Sequence, residues 1–546
     1  MLYFFGMIRK ILALLFLVLM ALASYQCARR GAPTGGPKDE IPPRLVRADP
    51  PNESTNLRTN KIRLYFDELV KLKEVQEQLI VSPPLKYRPQ LTPQGGASKF
   101  IEILIKDTLL ENTTYTFNFG QSIVDNNEEN PLSFFTYVFS TGPYLDSLEL
   151  AGAVKDAYNK QPDNFVSIML YKIDSSYTDS TVYKRPPDYL TNTLDSAIIF
   201  RLKNLKEGNY ALIGLKDAAK DNLFDQKTDK IAFVQDTISL PTDSIYLMNL
   251  FREIPDYGVA VPSMVSQNRI SFGYYGDGKN IEIQPLTVLP DTVKTLVTKE
   301  YEKDTLNYWF TPFEMDSIVF TVKNEQLKVI DTFTVKNRKV GLDSLVLTPN
   351  QRGNLEYGTP LQIRANTPLV KMDTSKINVV YQDSLSLDYR AVLDTTNNRV
   401  DLDFERLPDT KYAVALLPGA IEDFFGATVD STMYTFNTKK LSDYGNLSIN
   451  LSGDSVRYPL IVQLTNEKGE TQREIYATEP QVFEFKNIPP ANYLVRVIFD
   501  TNENRQWDTG SFLKKEQPER VSYYPNPIEV RANWEKIETF TLLDTP

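Results

Sequence analysis

The 546-residue sequence has no histidine and a single cysteine, Cys27. Without histidine there is no Ser-His-Asp or Cys-His relay, no His-bearing zinc triad and no imidazole for haem. A lone cysteine excludes intrachain disulfides and thiolate metal clusters. Tryptophan occurs 3 times, and the 24 glycines are fewer than the 34 prolines. No glycine-rich phosphate loop follows a candidate strand. After residue 23 no apolar run reaches the ~18 residues of a membrane helix. Nor is there a basic surplus: a net charge of −10 argues against nucleic acid as a partner. What remains is carboxylate, lysine or tyrosine chemistry, hard-cation binding, or no catalysis.

What is present points to strands. Thirty tyrosines and 29 phenylalanines beside many prolines describe short strands and turns rather than long helices. The length predicts three to five domains. Near the start, Arg9 and Lys10 precede an apolar run at 11–23, the length of a signal-peptide core and too short to span a bilayer. Residues 1–6 put apolar side chains ahead of that basic pair, so Met7 is the expected start. Ala21, Ala23 and Ser24 supply a small-residue cleavage zone. Residues 1–26 therefore read as a signal peptide. Residues 27–41, rich in glycine, proline and charge, read as a flexible tether.

A cysteine just after such a run resembles the acceptor of bacterial lipoproteins, which implies lipidation of Cys27 and a palmitate-type membrane anchor. That family usually has a small residue before the cysteine; here it is Gln26. The run GAPTGGPKDE-IPP resembles the start of Bacteroidota lipoproteins with a bacterial Ig-like domain. In that group acidic residues near the cysteine often mark export to the cell surface; here the acidic pair, Asp39 and Glu40, lies over ten residues downstream. The implied location is the outer membrane, on the surface.

Five domains follow. In 42–142, Ile62, Leu64 and Phe66 alternate with Lys61, Arg63 and Tyr65, the period of a half-buried strand. The series from Pro-Pro-Asn to Phe-Ser-Thr-Gly resembles the Ig-like domain first described in surface-layer proteins. In 143–255, Phe200-Arg-Leu-Lys-Asn-Leu-Lys-Glu-Gly-Asn-Tyr210 resembles the carboxypeptidase-regulatory or transthyretin-like sandwich, a non-catalytic module in its relatives. Residues 256–339 hold strands at 269–274, 281–285 and 317–322, a β-sandwich of uncertain type. Then the chain repeats itself. Leu407-Pro-Asp-Thr-Lys-Tyr412 parallels Leu110-Glu-Asn-Thr-Thr-Tyr115, which makes 340–443 a second Ig-like domain. Phe483-Glu-Phe-Lys-Asn-Ile-Pro-Pro-Ala-Asn-Tyr493 parallels Phe200 to Tyr210 without a gap, which makes 444–546 a second transthyretin-like domain. The expected fold is all-β: a tandem array of β-sandwiches containing a duplicated two-domain unit.

Chemistry has one main candidate. Asp500, Asn502, Asn504 and Asp508 place oxygens at relative positions 1, 3, 5 and 9, the spacing by which a tight loop wraps Ca²⁺. Arg505 and Ser511 stand where an EF-hand has glycine and glutamate. The duplicate keeps Asp217, Asp221 and Asp225, with Ala219 at position 3. The alternative is an Asx-rich turn that bonds its own backbone. Asp125-Asn126-Asn127 and Glu422-Asp423 are similar ligand-or-hairpin-tip choices. Trp309, Trp507 and Trp534 are either sugar-stacking or core. A glycosidase pair needs two carboxyls held apart in a cleft, which small sandwiches do not promise. The expectation is thus a non-enzyme with no required cofactor, Ca²⁺ aside. Its partners are the membrane and other outer-membrane or surface proteins in an assembly, secretion or uptake complex. The alternatives are a surface glycan-binding lipoprotein and a carboxylate-based hydrolase.

Overall fold

In a computed structural model, residues 38–193, 197–382 and 385–543 are described. The expected signal peptide, Cys27 and the start of the expected tether lie outside them. The described chain is built almost wholly of β-strands and divides into two compact units.

The first unit ends at residue 79 and resumes over 87–108 and 118–137. Its sheet runs Leu45–Asp49, Lys61–Leu72, Ser98–Leu104, Gln90–Thr92, with Ile123–Asp125 on the far end of Lys61–Leu72. The alternation in the sequence sets its faces. Ile62, Leu64 and Val70 are fully buried, while Lys61 and Arg63 face out. Arg63 and Lys61 both reach Glu102 across the ladder, at 2.7 and 2.9 Å.

The second unit is residues 80–86, 109–117 and 138–546. A sandwich over 148–250 faces the sheet Ile199–Leu205, Leu148–Asp156, Ile245–Leu250 with the sheet Tyr189–Asn192, Ser167–Lys172, Gly208–Lys216, Lys230–Phe233. Ile238–Leu240 takes the other half of Gly208–Lys216. Leu150, Val154, Ile168, Phe200, Tyr210 and Leu212 fill the space between.

The last sandwich repeats this order strand for strand. Phe483–Ile488, Gly445–Ser452 and Glu535–Thr541 form one sheet. Thr471–Ala477, Leu460–Thr465, Ala491–Phe499 and Val521–Tyr523 form the other, with Ile528–Val530 on Ala491–Phe499. Even the parallel pair recurs: Ile245–Leu250 along Leu148–Asp156, and Glu535–Thr541 along Gly445–Ser452.

The residues between hold two more sandwiches. The expected strands at 269–274, 281–285 and 317–322 are Arg269–Tyr275, Ile281–Pro285 and Ser317–Asn324, around a core of Ile270, Phe272, Tyr308, Phe310 and Phe320. Farther on, the sheet Leu347–Pro349, Leu361–Ala365, Arg399–Phe404, Tyr389–Asp394 has the strand order of the first unit's sheet. One local device marks both Ig-like repeats. The Tyr115 hydroxyl accepts the Leu110 N–H at 2.9 Å, and the Tyr412 hydroxyl accepts the Leu407 N–H at 2.6 Å.

Candidate functional site

The loops nominated by the sequence are turns in which an aspartate accepts backbone N–H groups. Asp500 is 1 % exposed; it accepts the N–H of Asn504 at 3.1 Å and of Arg505 at 2.9 Å. The amide groups of Asn502 and Asn504 both donate to Asp508 Oδ2, at 2.5 and 2.7 Å. The structure brings the four residues together, and each Asp500 oxygen accepts a backbone N–H of its own turn. In the duplicate, Asp217 accepts the N–H groups of Lys220 and Asn222 at 2.6 and 2.7 Å. Burial lifts the Asp217 carboxyl above its ordinary range, against the pull of those bonds. Asp221 accepts from Leu223 N, and Asp225 from Lys227 N. Among the described residues no group of three or more His, Cys, Asp or Glu side chains is placed to hold a metal ion.

The Ig-like loops follow the same plan. Asp125 accepts four backbone N–H groups, from Asn127, Glu128, Glu129 and Asn130, at 2.8 to 3.1 Å. Burial works to raise this carboxyl, but the four bonds outweigh it and hold it below its ordinary range. Asp423 takes the equivalent place, accepting from Phe425 and Ala427 N–H and from Thr367 Oγ1.

What the sequence did not reveal is where the Asp500 loop leads. Residues 507–524 of the last sandwich dock on residues 156–256 of its duplicate. Tyr158 lies between Trp507, with ring centroids 4.7 Å apart, and the guanidinium of Arg496, 3.9 Å from its ring. Arg496 is 1 % exposed, and the partners that fix it are neutral: Gln463 Oε1 at 2.7 Å, the Tyr523 hydroxyl at 3.1 Å and Thr471 Oγ1 at 3.3 Å. Stacking on a desolvated ring offsets part of the cost of burying that charge. Tyr523 in turn donates to the Tyr158 carbonyl at 2.7 Å.

A second insertion lies alongside. Phe512 is fully buried in the apolar cluster of Phe233, Phe251, Ile231 and Leu215, edge-on to Phe233 at 5.4 Å. Its N–H donates to the buried Glu253 carboxylate. Gln517 and Lys515 complete the seam, on the Phe233 carbonyl at 3.1 Å and on Asp179 at 2.7 Å. Gly510 is required here: a Cβ would lie 2.7 Å from the Phe251 ring and 2.6 Å from the Glu516 carbonyl.

The other junctions within this unit are also packed. Tyr275 carries Lys227 at 4.1 Å, and Arg364 stacks on Tyr301 at 3.7 Å. Tyr357 meets Tyr444 edge-on at 5.2 Å, and Arg473 donates to the Tyr357 carbonyl at 2.7 Å. Of the tryptophans, Trp309 is buried against Phe425, Trp507 forms the dock, and Trp534 is half-exposed under Arg531. An arginine in the apolar strand LVRVIF and a phenylalanine in the polar run TGSFLKK were the available sequence signals for the dock.

Comparison with known proteins gives one family match. Residues 39–141 fit the model of a bacterial Ig-like domain. No curated protein matches the chain. Among solved structures, the surface layer protein SbsC, domains 1–6, is 10 % identical, with 90 % of this chain and 67 % of that one covered at a TM-score of 0.14. BcpA, the major pilin subunit of Bacillus cereus, is 9 % identical, with 72 % and 99 % covered and a TM-score of 0.14. The I9–I11 tandem of titin is 8 % identical, with 52 % and 100 % covered and a TM-score of 0.13. Residues 39–141 are thus a bacterial Ig-like domain, set at the head of an all-β chain.

Proposed function

We propose that this chain is a non-catalytic scaffold, anchored through lipid on Cys27 to the outer membrane of a Bacteroidota bacterium and exposed at the cell surface. It serves as an accessory subunit of an assembly, secretion or uptake complex, and residues 143–255 and 444–546 are its carboxypeptidase-regulatory or transthyretin-like modules. The observation that carries this reading is the dock. Aromatic rings carrying lysine or arginine join successive sandwiches within the second unit, and the buried Arg496 and Phe512 return the last to its duplicate. Such joints hold loops in fixed relative positions, which is what a presenting surface needs. The nominated Asp500 and Asp217 accept backbone N–H groups of their own turns, which supports a structural role for them in this reading.

The test is a pull-down of the native, membrane-anchored protein in mild detergent with mass spectrometry of its companions and of its mature N-terminus. Recovery of the protein alone, or an unacylated terminus upstream of Cys27, would defeat the reading. A glycan-binding role has one observation in its favour. Tyr183, Phe224, Tyr257 and Tyr275 line a hollow with Gln226 and Asp256, aromatic faces beside hydrogen-bonding groups. Affinity electrophoresis on a polysaccharide panel, with Tyr275→Ala as control, separates the two: retardation that the variant loses supports glycan binding.

A further inference from the structure

Charge sets the hollow beside Tyr275 apart. It has a volume of about 500 Å³, and Tyr183, Phe224, Tyr257 and Tyr275 give it aromatic walls. Exposed Asp225, Asp256 and Lys227 also line it. Gln226 completes the lining and donates its amide to Glu253 at 2.9 Å. That carboxylate is 4 % exposed, and its other oxygen accepts the Phe512 N–H, so both of these donors are neutral. The neighbouring Arg252 donates instead to the Thr228 carbonyl, at 3.1 Å. Three carboxylates thus meet one ammonium, and the buried one acts through a low dielectric. The tyrosine hydroxyls register this field. Burial pushes Tyr183 well above its ordinary value, and Glu253 and Asp256 add to the rise. Burial likewise raises Tyr257, with Asp331 adding.

Aromatic walls in a negative field favour a cation over a neutral sugar. The chain itself shows the preference: Lys227 Nζ lies 4.1 Å from the centre of the Tyr275 ring. The duplicate shows a fuller arrangement. Trp507 stands in the last sandwich where Phe224 stands in the first. The stack that Trp507 builds with Tyr158 is completed by the guanidinium of Arg496. Phe224 builds its stack with Tyr183, ring centroids 5.2 Å apart, and among the described residues no arginine covers that pair.

We propose that this hollow receives an arginine side chain of a partner protein, which displaces Lys227 from the Tyr275 face; the inference rests on the scaffold reading. A planar guanidinium stacks on aromatic rings and meets a carboxylate through two parallel N–H bonds, which the compact charge of a lysine does not. Asp225 and Asp256 are the carboxylates within the lining. Lys227 holds the ring until the better-fitting cation arrives.

The probe is the tripeptide Gly-Arg-Gly with blocked ends, followed by saturation-transfer NMR against the full chain. The same peptide with citrulline keeps the shape and removes the charge. One side chain should bind at about 1 mM, and citrulline should weaken it about tenfold. Asp256→Asn should lower the affinity by about tenfold without moving the melting temperature, since that side chain is exposed. Lys227→Ala should tighten binding by about threefold, because the resident cation no longer competes. Equal affinity for the citrulline peptide, no transfer to the arginine peptide at about ten times the expected Kd, affinity that Asp256→Asn does not lower, or weaker binding to Lys227→Ala would overturn the proposal. A neutral polysaccharide that binds where the arginine peptide does not would also overturn it and assign the hollow to glycan. Failure of this titration leaves the pull-down result standing. A pull-down that recovers the chain alone while the titration succeeds defeats the scaffold reading and keeps the cation site.

Discussion

Replacing Phe512 by alanine should open the dock while leaving both sandwiches folded. The ring is fully buried, yet its neighbours Phe233, Phe251, Ile231 and Leu215 all belong to the other sandwich. Truncating a buried phenylalanine costs about 3–5 kcal/mol, through lost transfer energy and the cavity left behind. Of this, the edge-to-face contact with Phe233 accounts for about 0.5–1.5 kcal/mol. The loss therefore falls on the joint between sandwiches and not on the core around Leu447, Val462 and Val495, which Phe512 does not touch. The Phe512 N–H keeps its Glu253 acceptor in the variant, so the side chain alone is tested. Hydrogen exchange read by mass spectrometry resolves the two regions. A loss of about 3 kcal/mol should speed local opening by about a hundredfold in peptides covering 507–517 and 230–233. Strand Leu460–Thr465 should be unaffected. Unchanged exchange in 507–517 would refute the docking argument. Simultaneous acceleration of Leu460–Thr465 would show that Phe512 supports its own domain instead.

Four further outcomes follow from geometry already described. Gly510→Ala drives a methyl into the Phe251 ring and the Glu516 carbonyl; by size-exclusion and exchange it should reproduce the Phe512→Ala opening, at a cost of about 1–3 kcal/mol. Tyr412→Phe removes the hydroxyl that accepts the Leu407 N–H; chemical denaturation should show a loss of about 1–3 kcal/mol, because that N–H is left without its partner. Calcium should leave the melting temperature unchanged if the Asp500 loop acts only as a turn, with each Asp500 oxygen accepting one backbone N–H; a bound site would add about 2.7 kcal/mol at a hundredfold excess over its Kd, and such a rise would support the metal reading. Lys71 and Lys73 hold the Glu129 carboxyl at about 2, below its ordinary 4.5. A depressed carboxylate stabilises above its unfolded value and loses that effect as pH falls toward its folded one. The urea midpoint should thus drop from about pH 4.5 toward about pH 2, less so in Glu129→Gln, and salt should shrink the difference because the pair is exposed.

Local features were legible in the sequence and long-range ones were not. The alternation at Ile62, Leu64 and Phe66 gave the faces of its strand because a period of two has one physical meaning. The repeated Leu-x-x-Thr-x-Tyr pattern marked real hydrogen bonds at Tyr115 and Tyr412 because those bonds span five residues. Asp500 and Asp217 were visible as special positions, but spacing alone does not distinguish a ligand oxygen from one facing backbone N–H groups; side-chain direction decides that. The dock was hidden for a different reason. Tyr158, Arg496 and Phe512 each fit an ordinary local role, and only their meeting across the chain gives them another. An arginine inside an apolar strand was the stronger of the two visible anomalies, since a buried charge requires partners that a strand core does not supply.

The seam between Tyr158 and Tyr523 joins residues 365 positions apart, and that separation has a kinetic consequence. Chains emerge from their amino end, so the slot formed by Phe233 and Phe251 is complete long before Phe512 exists to fill it. Until then an apolar mouth stands open on a folded sandwich, and closing so long a loop is slow. The nascent protein is therefore most prone to aggregation when nearly finished. A chain stopped after residue 443 would keep that vulnerability for its whole lifetime.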